Sequence, residues 1–210
     1  MVGPQRLVAN MDAVAYVVRQ QIPGAVVECG VWRGGSVLAM ILTLQELGVS
    51  DRDVYLFDTF TGMTEPSQHE TSRFAESAHQ TWATAEASGR VPWEGTFGPD
   101  AYDLDGVKRL IEATGYPEER LHYVVGRVED TVPDAAPDRI SVLRLDTDWY
   151  ESTSHELRHL YPRLSDGGVL IVDDYGHWDG CRKAVDEYFA GEPGVLLARI
   201  DYSARLAIKR

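Results

Sequence analysis

Two apolar runs of this chain end on paired acids. In residues 140–150, ISVLRLDTDWY, the pair is Asp146 and Asp148; in residues 168–174, GVLIVDD, it is Asp173 and Asp174. Neighbouring carboxylates repel, and each costs free energy to desolvate beside a buried strand. If the chain stays extended through position 148, Asp146 and Asp148 leave the same face. Parallel strands ending at one sheet edge would then bring all four acids together. They do not stay ionised together without a counter-charge. A hard divalent cation with oxygen ligands, Mg²⁺ above all, would supply it. The competing role for any single acid here is a helix cap, which Asp148 and Asp174 are placed to provide. Pairing at two strand ends favours the metal.

A second set of residues sits where a nucleoside would bind. Residues 26–40, VVECGVWRGGSVLAM, end a short apolar run on a glycine-rich turn, with Gly30, Gly34, Gly35 and a helix start near Ser36. Such a turn lets backbone approach a ligand closely. It is not G-x-G-x-x-G, and Glu28 before the first glycine would repel a pyrophosphate. Asp58 closes VYLFDTF, a position from which an acid accepts hydrogen bonds from a ribose diol. Gly126, Val128 and Glu129 in VVGRVEDTVPD are placed to border an adenine. A nucleoside with a positive centre, S-adenosylmethionine, suits this acidic surround. NAD ranks second, because its pyrophosphate needs a free helix N-terminus with no acid beside it.

The elements that must position these groups alternate. Helical spacing is read over residues 5–20, 36–47, 105–114, 152–164 and 181–189. Apolar β-rich runs are read over 25–29, 54–57, 121–125, 140–145, 168–172, 195–200 and 205–208. Strand–helix alternation predicts an α/β fold with a mostly parallel sheet covered on both faces. The last two strands, separated by Asp201-Tyr202-Ser203-Ala204, are close enough for an antiparallel hairpin. Residues 64–103 are polar, punctuated by Gly and Pro, and long for a connection. They are expected to be a lid inserted in a single domain spanning 1–210, anchored by Trp82, Trp93 and Phe97.

Bulk composition narrows the partners. The 210 residues carry a net charge of −13, which argues against nucleic acid or an anionic membrane. No apolar run approaches the roughly 20 residues of a membrane span. MVGPQRLVANMDAV lacks the basic cap and apolar core of a signal peptide. Cys29 and Cys181 read as reduced packing residues of a cytoplasmic protein.

The segments VVECGVWRGGS, LFDTFTGM, GRVEDTVP, LRLDTDWYEST and GGVLIVDDYGHWDGCRKAVDEYF together resemble the macrocin O-methyltransferase (TylF, MycF) family. The resemblance implies a Class I, Rossmann-like methyltransferase fold with a seven-stranded, mostly parallel sheet and a C-terminal antiparallel strand. It implies S-adenosylmethionine and Mg²⁺, and methylation of a hydroxyl on a deoxysugar of a small natural product. A homo-oligomer is compatible with it. By the same resemblance Asp146, Asp173 and Asp174 hold the metal and Asp148 is the general base. Glu28 and the Gly30–Ser36 loop, with Gly34 and Gly35, hold the methionine end, and Asp58 the ribose. Catechol-type enzymes typically carry a lysine three residues after the first metal ligand; here that residue is Trp149. The runner-up acceptor is a phenolic or polyketide hydroxyl. A noncatalytic S-adenosylmethionine-binding protein, with its acids as caps, is the reading from another class.

Among neighbouring residues, His177 is the alternative base and Trp178 could face the acceptor. Arg144, a charge inside an apolar strand, is expected in a structural ion pair. Arg182 is placed to orient one of the acids, and Tyr150 and Tyr175 to wall the pocket. Ser36 has no His and acid at triad-like spacing, so no hydrolase is proposed.

Overall fold

Apolar runs and helical patterns become strands and helices in a computed structural model that describes residues 3–97, 103–191 and 195–210. Helix α1 (Pro4–Arg19) starts on a proline, whose fixed φ and missing N–H suit a first helical position. There follow β1 (Ala25–Cys29), α2 (Gly35–Glu46) and β2 (Val54–Asp58), then α3 (Ala78–Ala87) and α4 (Glu94–Phe97) inside the long insertion. Next come α5 (Leu104–Glu112), β3 (Leu121–Val125), α6 (Val128–Thr131), β4 (Ile140–Leu145), α7 (Tyr150–Leu160) and β5 (Leu164–Val172). The chain ends with α8 (Asp179–Phe189), β6 (Ala198–Arg199) and β7 (Arg205–Ile208). Strand β6 is shorter than the run read over 195–200, and residues 98–102 of the insertion lie outside the described residues. No described helix is long and apolar enough to cross a membrane.

The sheet has seven strands in the order β3-β2-β1-β4-β5-β7-β6. The first five are mutually parallel, and β7 runs antiparallel to both β5 and β6. Strand order reverses between β1 and β4, and ligands of open α/β sheets bind beyond the strand ends at such a point.

Alternation along each strand sorts side chains to two faces. Val27, Cys29, Leu143, Leu145, Leu170 and Val172 pack against Leu157 and Leu160 of α7 and Val185 of α8. Val26, Val142, Val169 and Ile171 pack against Val14 and Val17 of α1 and Met40, Ile41 and Leu44 of α2. The alternation continues into polar residues. Glu28 pairs in register with Arg144, and Arg144 with Ile171, two residues before Asp173. A charged layer thus caps the apolar layer beneath α1.

Candidate active site

Arg144 is the centre of that layer. It is fully buried (0% exposed), and its Nη1 lies 2.5 Å from Glu28 Oε1 and 2.6 Å from Asp146 Oδ2. Its Nη2 pairs with Asp173 Oδ1. This is the structural ion pair expected of a charge in an apolar strand. The other oxygen of Asp173 is taken by Arg6 of α1, whose Nε also reaches Asp201 at 2.8 Å. The two arginines supply part of the counter-charge that sequence reasoning assigned to a metal alone. Six acids (Glu28, Asp146, Asp148, Asp173, Asp174 and Asp201) face two guanidiniums, so a strong negative excess remains if all are ionised.

Burial raises the pKa of four of these acids. Burial, opposed by Arg144, raises Glu28 to about 7. Asp148 is pushed up to about 8, first by burial and then by Asp146 and Asp173. Burial raises Asp146 despite Arg144, and burial with the neighbouring acids Asp148 and Asp173 raises Asp174. Asp146, Asp173 and Asp174 each offer one carboxylate oxygen, and the three oxygens lie within 4.8 Å of one another. Asp174 Oδ2 is buried with no hydrogen-bond partner. Three hard oxygen donors with an unsatisfied member fit a divalent cation.

Asp148 arrives by a different route from the extended chain that was expected. Strand β4 ends at Leu145, and Asp148 sits in a left-handed turn with φ 66°. Aspartate tolerates this conformation better than most residues. The turn is held by Trp178 Nε1, which donates to Asp148 Oδ1 at 3.0 Å. Neither Asp148 nor Asp174 caps a helix: the N-caps of α7 and α8 are Trp149 and Trp178, without side-chain capping bonds.

These acids line a cleft of about 390 Å³. One wall includes Gly30, Asp58, Gly126, Val128 and Glu129, and the other Asp146, Asp148, Asp173, Asp174 and His177. Asp58 is itself tied down: Oδ2 accepts from Val31 N at 2.7 Å and Trp32 N at 2.9 Å, and Oδ1 from Phe60 N at 2.7 Å. Gly30, with φ 82°, has a reason unlike close approach to a ligand. A Cβ there would collide with the carbonyl of Asp146, so the glycine lets the ends of β1 and β4 interlock.

Glu28, Gly34, Gly35 and Ser36 lie outside the cleft wall. Glu28 is buried behind it against Arg144. Gly34 is the left-handed N-cap of α2, beside Val107, and Ser36 is buried. Arg182 does not touch the acids; its Nε donates to Tyr175 O at 3.2 Å. Tyr150 and Tyr175 bond Glu187 and Asp186 instead of walling the cleft. His177 does line it, with Nδ1 3.2 Å from the Tyr202 hydroxyl, and burial followed by Arg6 lowers its pKa.

Sequence reasoning missed Arg6, Trp32, Arg127, Thr147, Ser152 and Tyr202 in the wall. The insertion adds Thr64, Ala75, Trp93, Thr96 and Phe97. Trp32 Nε1 donates to Thr96 O at 3.2 Å, and Trp149 Nε1 to Thr64 O at 3.1 Å. Trp82, the third expected anchor, packs on Trp93 at 6.4 Å. Trp32, Trp93 and Asp148 combine positive φ with a place in the wall, and such strain collects at functional sites.

A parallel sheet with this strand order, an antiparallel C-terminal strand and a cleft at the β1/β4 reversal defines a Rossmann-like methyltransferase fold, which implies S-adenosylmethionine as ligand. The NovP O-methyltransferase structure superposes with a TM-score of 0.82 at 32% identity, covering 99% of this chain and 81% of that one. The calicheamicin methyltransferase CalS11 shares the fold, with a TM-score of 0.70 at 20% identity over 96% of this chain and 77% of that one. The chain belongs to the macrocin-O-methyltransferase (TylF) family, whose model matches residues 1–204. It is 36% identical over 188 residues to the 8-demethyl-8-(2,3-dimethoxy-alpha-L-rhamnosyl)-tetracenomycin-C 4'-O-methyltransferase of Streptomyces olivaceus, covering 90% of this chain and 66% of that protein. The mycinamicin III 3''-O-methyltransferase of Micromonospora griseorubida is 34% identical over 189 residues, with 90% and 69% covered. The chain thus spans about two thirds of the length of the curated relatives it matches.

Proposed function

We propose that this protein transfers the methyl group of S-adenosylmethionine to a sugar hydroxyl of a small glycosylated natural product, with a divalent cation at the carboxylate cluster. The observation that carries this reading is the convergence of Asp146, Asp173 and Asp174 beside Asp148 in one cleft of a methyltransferase fold. The sugar is supported by the relative whose name specifies a rhamnosyl-tetracenomycin acceptor, beside the mycinamicin III 3''-O-methyltransferase.

In this proposal Asp58, Gly126, Val128 and Glu129 hold the donor's nucleoside, with Asp58 accepting from the ribose diol, and Gly30 borders its methionine end. Glu28 contributes through Arg144, which it helps to fix. Asp146, Asp173 and Asp174 hold Mg²⁺. When bound, Mg²⁺ supplies Lewis-acid charge beside the acceptor hydroxyl and so lowers its pKa. Asp148 takes the hydroxyl proton, and Trp178, donating to its Oδ1, fixes its orientation. The hydroxyl oxygen forms its bond to the methyl carbon as the sulfur–carbon bond breaks, leaving S-adenosylhomocysteine. The described part of the insertion, residues 64–97, acts as the lid, with Trp93 and Phe97 excluding water from the cleft.

The test is methyl transfer from labelled S-adenosylmethionine to rhamnosyl glycosides with a free vicinal diol, with Mg²⁺ or with EDTA. Labelled glycoside formed only with Mg²⁺ supports the reading. Equal transfer in EDTA removes the cation from it.

A further inference from the structure

The insertion carries a carboxyl group that the chemistry above does not use. Glu70 is fully buried (0% exposed) between the first turns of α7 and α8. Its Oε1 accepts from the backbone N of Tyr150, the first residue of α7, at 3.0 Å, and from Ser67 Oγ at 3.0 Å. Its Oε2 is buried without a hydrogen-bond partner and sits against Gly180, the second residue of α8. A Cβ at position 180 would occupy the space of that carboxylate.

The surrounding strap touches both helices as well. Asp179 N donates to Thr71 O at 2.9 Å, and Thr71 Oγ1 donates to Asp179 Oδ2 at 2.8 Å. The His69 ring lies 5.3 Å from that of Tyr150, and Phe74 stacks on His177 at 6.1 Å. Helix N-termini present unpaired amides and partial positive charge, so one carboxylate between two of them stabilises both. Each helix begins just after one pair of acids: α7 after Asp146 and Asp148, α8 after Asp173 and Asp174.

We propose that Glu70 is a positioning residue: seated between Tyr150 and Gly180, it fixes the starts of α7 and α8 relative to each other and so sets the spacing of the two acid pairs. This inference rests on the reading of those acids as the cation and base site. It also explains why the start of α8 carries a glycine, a residue that weakens helices elsewhere. A mere anchor of the insertion would stabilise the chain without altering the spacing of the acids.

Amide hydrogen exchange and calorimetric titrations with Mg²⁺ and, separately, S-adenosylhomocysteine distinguish the two. The proteins compared are wild type, Glu70→Ala, Glu70→Gln and Gly180→Ala, which displaces the carboxylate without deleting it. In Glu70→Ala and Gly180→Ala, exchange should accelerate about tenfold in the first turns of both α7 and α8, with α2 unchanged. Mg²⁺ affinity should fall about tenfold while S-adenosylhomocysteine affinity holds, and Glu70→Gln should recover most of both losses. Faster exchange at α7 alone, unchanged Mg²⁺ affinity in Glu70→Ala, or a glutamine as damaging as alanine would overturn the proposal. If wild type takes up no Mg²⁺, the cation reading falls, and the exchange at the two helix starts still decides the role of Glu70. Should Glu70→Ala fail to fold, Glu70→Asp, one methylene shorter, gives the same comparison.

Discussion

Arg144→Met exchanges a fully buried guanidinium for an uncharged chain of similar length and leaves Glu28, Asp146 and Asp173 without the cation they share. Removing one partner of a buried pair costs about 3–5 kcal/mol. Three acids depend on this cation, which puts the cost toward the upper end, limited by their capacity to take up protons. Glu28 already stands at about 7, raised by burial against the lowering influence of Arg144. Without Arg144 it titrates higher. A carboxyl whose folded pKa exceeds its unfolded value binds more protons in the native state, so stability falls as pH rises through that window. One such proton is worth about 1.4 kcal/mol per pH unit. Wild-type Glu28 also takes up its proton between about pH 8 and pH 6, so on its account the variant's deficit should shrink by about 1.4 kcal/mol over that range. At roughly 2–4 °C per kcal/mol for a chain of this size, the variant should melt about 6–20 °C below wild type at the higher pH. It should lie visibly closer at the lower one. Scanning calorimetry in the presence of a chelator measures both. A deficit independent of pH, or one below about 1 kcal/mol at the higher pH, would refute the reasoning, because exposed pairs behave that way.

Other substitutions isolate single roles. Asp148→Asn should lower methyl transfer by about 10²–10⁴-fold, the usual worth of a general base, while Mg²⁺ and S-adenosylhomocysteine still bind in calorimetry; near-normal turnover would pass the role to His177. Glu156 is fully buried, accepts from Thr147 Oγ1 at 2.9 Å and has its pKa raised by burial. Its stability contribution is therefore lost as pH rises, and Glu156→Gln should gain on wild type by up to about 1.4 kcal/mol per pH unit above the unfolded value in urea melts. Gly30→Ala should cost at least about 1–2 kcal/mol from the left-handed backbone alone, plus the collision with Asp146. Gly35→Ala has open space and should be neutral or stabilising by about 0.4–1 kcal/mol, so equal melting points for the two variants would contradict the interlocked strand ends.

Strand ends were legible because apolar runs stop abruptly on residues that cannot be buried unpaired. Asp58, Asp146, Asp173 and Asp174 therefore marked one edge of the sheet before any topology was known, and all four line the cleft. The neutralising arginines were only half legible. Arg144 declares itself as a charge inside LRL, whereas Arg6 looks like an ordinary surface residue of α1. It meets Asp173 only because α1 covers the face on which the odd-numbered acid emerges, across 167 positions of sequence. The left-handed turn at Asp148 lacks the glycine that usually signals one. Glu70 was hidden for another reason: a lone glutamate in a polar insertion carries no periodicity, and its signal lies at its partner, the glycine opening α8. Gly34, Gly35 and Ser36 read as ligand-binding from the glycine-rich turn; they open α2, with Gly34 its left-handed N-cap, and lie outside the cleft wall.

The central claim is that Asp146, Asp173 and Asp174 form a divalent-cation site beside the donor cleft. Calorimetric titration of Mg²⁺ into the protein saturated with S-adenosylhomocysteine tests it most directly, with Asp173→Asn/Asp174→Asn run alongside. A single site in wild type that vanishes in the double variant, with S-adenosylhomocysteine still bound, is the predicted result. No binding in wild type, or binding retained by the double variant, would contradict the account.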